Sequence, residues 1–459
     1  METATTVSQS AGPRLRRTLT LWDLILYGVI VIQPVAPMSV FGVLSNRGHG
    51  HVVTTILIAM VAMLFTAISY GKMARAYPSA GSAFTYVGQE INPALGYVTG
   101  WSMVMDYLLN PMICIIWISQ QAHVFAPGVS YAAWAVFFAL VFTALNVQGV
   151  KTSARVNTAL AAGMGVVIAI FFVAAARYIF GHPHDGSAFF TRPFYDPASW
   201  NTKAVLGGTS VAVLTYIGFD GISTLSEEAE NPRRNILLAT VLVCVVIGIL
   251  SAFQVYAAQL IWPASEPYPN TDTAFTFVAG RAWAPLFAIV GFTLVVANFG
   301  SGMGAQLGAA RLLYGMGRSN ALPKSFFGAI DAKRRVPRNN VLFVGVLALA
   351  GAFLLPALAG ATTGYDLGAN LLNFGALIAF MGVNAAAFVR YYLHEQEKKF
   401  SNLGPPVLGF VICFFLWISL SPKALVFGAI WMVLGIAVGA WKTKGFRGNL
   451  VDFELPPEE

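Results

Sequence analysis

The sequence predicts an all-α membrane protein that crosses the bilayer twelve times. Its 459 residues are 57% hydrophobic and 10% charged, with a mean hydropathy of +0.67. A soluble chain of this size carries about 25% charged residues. Apolar runs recur from Leu21 to Trp441, and about 20 apolar residues in a helix span the hydrocarbon core. The placement of the basic residues then orients the spans.

The runs place spans at 21–45, 52–71, 95–122, 131–148, 156–179, 204–226, 236–262, 283–316, 340–358, 367–390, 405–421 and 424–441. With the N-terminus inside, 22 of the 28 lysines and arginines fall in inside segments. The other 6, Arg47, Arg177, Arg192, Lys203, Arg281 and Lys423, fall outside. Cytoplasmic loops collect lysine and arginine, so both termini are expected in the cytoplasm, on the inner side of a plasma (inner) membrane. The net charge of +8 is assigned to these loops, and no nucleic-acid partner is expected. The polar N-terminus leads into a span unlike a cleaved signal segment, so no leader is expected. Cys114, Cys244 and Cys413 all lie in apolar runs and read as small buried hydrophobes, with no disulfide.

The first span contains "GVIVIQPVAPMSVFG", Gly28 to Gly42, with Gln33, Pro34 and Pro37 near its middle. A proline inside a helix removes one donor and clashes with the preceding turn, at about 3 kcal/mol. In lipid such a break survives where it lines a cavity. The third span carries Asp106 among the aromatics Trp101, Tyr107 and Trp117, which have the chemistry for cation–π contact with an amine; packing or lipid-facing roles are the alternative. The fifth span has no ionisable residue between Ala159 and Ala176. The sixth contains "LTYIGFDGIS", Leu214 to Ser223, where Gly218 and Gly221 flank Phe219 and Asp220.

The two breaks fall at similar depth in their spans. Matched interruptions in two halves of a chain mark a transporter site between inverted repeats. A simple kink is the alternative for each. The expected substrate site is Gln33, Pro34, Ala36, Pro37, Tyr216, Gly218, Phe219 and Asp220. An acid inside a span either pairs with a substrate ammonium, carries a proton, or joins two helices or a gate. Asp220 and Asp106 are the candidates for those tasks. Glu227 and Glu228, followed by Arg233 and Arg234, are read as interfacial pairs that help close the cytoplasmic side. "HPHD", His182 to Asp185, lies in an outside loop without further ligands, and no metal is expected. Nucleotide fingerprints and zinc spacings are missing, so neither a cofactor nor ATP-driven pumping is expected. An enzyme would need a nucleophile–base pair within the spans, and a channel would need rings of pore-lining polar groups; neither pattern occurs.

Three stretches then resemble the amino acid–polyamine–organocation permease family: "FDGISTLSEEAENPRRNI" from Phe219, "ISYGKMARAYPSAGSAFTYVGQEINPALGYVTGWSMVMDYLLNP" from Ile68, and "ANFGSGMGAQLGAARLLYGMGRSNALP" from Ala297. Within that family, "PMSVFG" and the Ile68–Pro111 stretch are similar to bacterial putrescine importers. The resemblance implies a LeuT-like 5+5 inverted repeat plus two C-terminal helices. Residues 1–20 would then be a cytoplasmic tail, 21–398 the core with repeats at 21–179 and 204–390, 399–441 the final helix pair, and 442–459 a second tail. It implies a secondary transporter that imports putrescine, a polyamine or an amino acid by alternating access, with a proton as partner. The alternative is an amino-acid permease or exchanger without protons. Amino-acid members carry a glycine-rich first break whose amides hold a carboxylate. Here prolines stand in that neighbourhood, which leans toward an amine, although Met38, Ser39 and Val40 keep their amides. Some members couple protons through a lysine in the fifth span, and this chain has none there.

Overall fold

A computed structural model of the protein describes residues 19–77, 82–149, 154–184, 186, 188–226, 229–318, 322–331, 334, 336–360, 363–394, 398–443 and 445. The described residues form helices and turns without strands. In chain order they are α1 Leu21–Ile32, α2 Ala36–Arg47, α3 Val52–Ala76, α4 Ser82–Glu90, α5 Pro93–Phe125 and α6 Tyr131–Gln148. Next come α7 Ala154–Gly181, the short α8 Ala188–Thr191, α9 Thr202–Ala212, α10 Pro232–Ile261, α11 Ala274–Ala282 and α12 Pro285–Arg318. The series ends with α13 Lys324–Phe327, α14 Arg338–Ala359, α15 Gly364–Phe388, α16 Phe400–Ile418 and α17 Pro422–Lys442.

Among the described residues eleven segments are long and apolar enough to cross a membrane, and α1 with α2 makes a twelfth that bends by 46°. All twelve expected spans are therefore present. Four helices between spans were not expected from the sequence: α4 and α11, of nine residues each, and α8 and α13, of four residues each. All are too short for the 20-residue apolar pattern that located the others.

Helix starts follow local chemistry. Thr20 and Asp23 form a reciprocal cap: the Thr20 amide donates to the Asp23 carboxylate at 2.9 Å, and the Asp23 amide donates to Thr20 Oγ1. Asn92, Ser130, Asn201 and Ser421 each accept an amide from the first turn of the helix that follows. Alternation of the spans gives two ends. One end, here the terminal face, holds the starts of α1 and α10 and the end of α17. The opposite end, the far face, holds Arg47, α11 and Asp366.

The described chain ends are held to the bundle. The Glu230 amide donates to the Leu19 carbonyl at 2.8 Å, beside the start of α10. The final helix is fastened by two tryptophans: Trp101 of α5 stacks on Trp431 of α17 with ring centroids 4.9 Å apart. Each indole N–H donates to the other's backbone carbonyl, at 2.9 and 3.1 Å. On the terminal face α15 runs on into a π-helical turn, Val389–His394. From that turn Arg390 and His394 reach the buried Glu90 of α4, at 3.0 and 3.2 Å. Tyr77 donates its hydroxyl to the same carboxylate, and burial beside Glu90 pushes this phenol up to about 12.

Candidate functional site

The interruption between α1 and α2 begins where the sequence expects it. The Gln33 amide still reaches the Val29 carbonyl at 3.0 Å. Pro34 has no N–H to give the Ile30 carbonyl, so the ladder stops there. The Ala36 amide turns to the Gln33 carbonyl and the Met38 amide to the Val35 carbonyl, each at 3.0 Å. Gln33 takes a positive φ of 68°, a conformation that costs a non-glycine residue about 1 kcal/mol or more. Its side chain fixes it there by donating to the Ala297 carbonyl of α12.

The second interruption is longer than expected. The regular helix of the sixth span ends at Ala212, and 3-10 turns at Val213–Thr215 and Phe219–Leu225 replace it. Hydroxyl side chains compete for the backbone here: Thr215 donates to the Ala212 carbonyl at 2.7 Å and Ser223 to the Asp220 carbonyl at 2.6 Å. Asp220 Oδ1 accepts the Gly218 amide at 3.2 Å. Gly218 has φ of 118°, and a Cβ there would lie 2.9 Å from Val31 Cγ1. The two breaks thus touch, and a glycine is needed at the point of contact.

Both breaks border one cavity of about 510 Å³. Gln33, Pro34, Ala36, Gly218, Asp220 and Asp106 all line it. Three residues expected at the site do not. Pro37 lies buried in the first turn of α2, outside the lining. Tyr216 is fully buried and donates its hydroxyl to the Ile56 carbonyl at 2.9 Å. Phe219 packs with Tyr70 and Phe380, with centroids at 5.6 and 5.3 Å. The cause is the 3-10 path of the second break, which carries Asp220 to the cavity wall while its neighbour Phe219 joins the core behind it.

The expected aromatic wall is also reduced. Tyr107 lines the cavity. Trp101 is committed to Trp431, and Trp117 is buried with its indole donating to the Ser39 carbonyl at 3.2 Å. Two carbonyls of the break are already bonded: that of Gln33, left free by Pro37, accepts the Ala36 amide, and that of Pro34 is capped by Gln254 of α10, each at 3.0 Å. Of the pairs read as a cytoplasmic gate, Arg233 and Arg234 are exposed at the start of α10, while Glu227 and Glu228 lie outside the described residues.

Sequence reasoning missed several lining residues, among them Asn110, Asn298, Ser301 and Arg311. The signal for Asn110 was present. Asp106, Asn110 and Cys114 are four residues apart and line one face of α5, and Cys114 bonds Asn110 at 3.4 Å. Asn298 donates to Ser39 Oγ at 3.0 Å and so ties α12 to α2.

Electrostatically, the cavity holds two acids, Asp106 and Asp220, buried and close enough for their charges to interact. Among the described lining residues Arg311 is the one basic group, and it is exposed near the terminal face. Tyr27 and Leu160, also toward that face, are exposed, whereas Val40, Cys114 and Tyr365, toward the far face, are buried.

The far side is shut by direct contact. Phe41 packs edge-on against Tyr268 and Phe275, with centroids at 5.8 and 5.6 Å. Gly42 lies so close to the loop before α11 that a Cβ would fall 2.1 Å from the Thr271 carbonyl oxygen. Arg47 pairs with Asp366 at 2.6 Å.

A twelve-span bundle with two interrupted helices around a polar cavity has known relatives. The amino acid permease family model matches residues 35–447. The chain belongs to the amino acid permease family. It is 34% identical over 449 residues to the low-affinity putrescine importer PlaP of Escherichia coli K12, covering 96% of each chain. It is 24% identical to the branched-chain amino acid permease BcaP of Bacillus subtilis, over 94% of each. It is 25% identical to the methylthioribose transporter of the same species, again over 94% of each chain. These relatives are permeases, and this member of the amino acid–polyamine–organocation group is a multi-pass membrane permease rather than an enzyme.

Proposed function

We propose that the chain is a secondary active importer of a diamine such as putrescine, working by alternating access in a bacterial inner membrane with the terminal face in the cytoplasm. The observation that carries this reading is the pair Asp106 and Asp220 on one cavity wall system. Two buried carboxylates repel each other and are costly without partners. A dication neutralises both, and a monoamine leaves one unpaired. The start of α2 supports an amine over a carboxylate: Pro37 has no amide, and the amides of Ala36 and Met38 are already bonded. The similarity to PlaP supports the same substrate class.

Alternating access is supported by asymmetry. The cavity walls are exposed toward the terminal face and buried toward the far face, as in a carrier caught open to the cytoplasm. In this reading residues 21–179 and 204–390 are the two inverted repeats, and each contributes one interrupted helix. Protonation of Asp220 or Asp106 would remove one charge from the cavity and bias one of the two states.

A second reading has one observation in its favour. Arg311 offers a guanidinium to a substrate carboxylate, which suits an amino-acid permease or exchanger without proton coupling. Uptake of radiolabelled putrescine and of amino acids into proteoliposomes, with and without a pH gradient, separates the readings. Saturable putrescine entry that acidifies the lumen supports the first. Putrescine uptake no greater than in empty liposomes would sink it, and amino-acid exchange indifferent to the gradient would install the second.

A further inference from the structure

One acid outside the cavity has no evident task. Asp272 sits in the loop before α11, directly beside the contact that shuts the far face. Its neighbour Thr271 is the residue against which Gly42 closes, and Asn46 of α2 donates to Thr271 Oγ1 at 3.2 Å. Asp272 is 1% exposed. Both carboxyl oxygens are buried without a hydrogen bond of ordinary geometry, the Tyr365 backbone amide being a donor close by. Among the described residues no basic side chain pairs with it. Asp366 and Tyr365 face it from the start of α15, and Tyr131 faces it from the start of α6. Arg47, at the end of α2, is spent on Asp366, and Glu266 and Arg281 of the same far-face connection pair with one another at 2.7 Å.

A buried carboxylate with neither cation nor full hydrogen bonding is unstable as an ion and takes up a proton instead. Burial, reinforced by the nearby Asp366 charge, holds the Asp272 carboxyl well above the usual carboxylate range. Separation of α2 from the loop would let water reach it and restore ordinary acidity.

We propose that Asp272 is a proton-binding site of the far-side closure, protonated while that side is shut and ionised when it opens. The proposal rests on the alternating-access reading above. The proton enters from the far side on closing and returns there on opening, so this site sets how readily the outer side opens and is separate from any proton carried through the cavity. The sign follows from linkage. Between the ordinary carboxylate pKa of about 4 and the raised value of the closed state, each pH unit upward favours opening about tenfold. Below or above that window the dependence vanishes.

The test uses Ala274→Cys, a position buried against Gly42 in the closed state, in the full chain with Cys114→Ser, Cys244→Ser and Cys413→Ser. A membrane-impermeant maleimide added outside reports far-side opening in proteoliposomes, and the rate at each pH is divided by that of the unfolded protein. Corrected labelling is expected to climb several-fold per unit as external pH rises. Asp272→Asn, which imitates the protonated form, should label slowly at every pH. Asp272→Ala, which holds no proton, should give a flat profile. Identical pH profiles with and without Asp272 would overturn the site. A reporter silent at every pH in all three proteins while putrescine still enters would overturn the alternating-access reading, and the site with it.

Discussion

Arg47 gives two hydrogen bonds to one oxygen of Asp366, from Nε at 3.2 Å and from Nη2 at 2.6 Å. This pair joins the end of α2 to the start of α15 on the far face. Asp366 is held in turn by Asn370, whose amide donates to it at 2.7 Å. The first interrupted helix is thereby latched to the opposite half of the chain.

Removing the latch should loosen the far side modestly. Arg47 is about one-third exposed, so solvent screening limits the pair to about 1 kcal/mol, or roughly a fivefold change in an equilibrium. Arg47→Ala should raise external maleimide labelling of the Ala274→Cys reporter by up to about fivefold, with a smaller difference at 1 M salt. Equal labelling in the two proteins would mean that the aromatic contacts of Phe41 close the far side without help.

The two cavity acids should be separable by substrate. Asp220→Asn and Asp106→Asn should each raise the KM for putrescine about tenfold or more, because a desolvated charge partner of one ammonium is lost. A monoamine of similar length should suffer less. Unchanged putrescine uptake by either variant removes that residue from the substrate site.

Gly218 offers a sharper structural test. Alanine there combines a positive φ with contact against Val31, and should cost about 1–3 kcal/mol of stability and most of the uptake. At Gly221 a Cβ would meet nothing nearer than 3.9 Å. Gly221→Ala should therefore keep near-normal thermal stability and transport. Similar behaviour of the two variants in melting and uptake assays would contradict a contact between the breaks.

Gln254→Leu keeps the volume and removes the donor to the Pro34 carbonyl. The buried carbonyl then loses its partner, at about 1–3 kcal/mol, and the melting temperature should fall. Gln254→Met also keeps the volume without a donor and should not rescue it. A melting temperature equal to that of the unsubstituted protein would show that the carbonyl is satisfied some other way.

Much of the architecture was legible because membrane spans obey a one-dimensional rule. Length and apolarity found each of the twelve, and Pro34 announced its own break by lacking an amide. What the sequence hid was direction. Tyr216 and Phe219 lie within four residues of Asp220, and helical spacing gives no rule for a 3-10 path, so their inward turn was invisible. Trp101 and Trp117 are apolar rings with one donor each, and whether that donor meets a neighbour or faces a cavity depends on partners 330 and 78 positions away. Asp272 escaped notice because it lies in a connection between spans, where acids are ordinary; only the packing of α2, α6 and α15 around it makes it unusual.

The paired indoles of Trp101 and Trp431 bear on the order in which the chain is made. Trp101 enters the membrane with the third span, α5, and its partner is made 330 residues later. Until then its ring stacks on Tyr97 of its own helix alone, and its N–H lacks the carbonyl it finally meets. The third span, which also carries Asp106, therefore completes its packing only after α17 has been made. A polypeptide cut short before Pro422 would leave the Trp101 N–H and one face of its ring without the partners that α17 supplies.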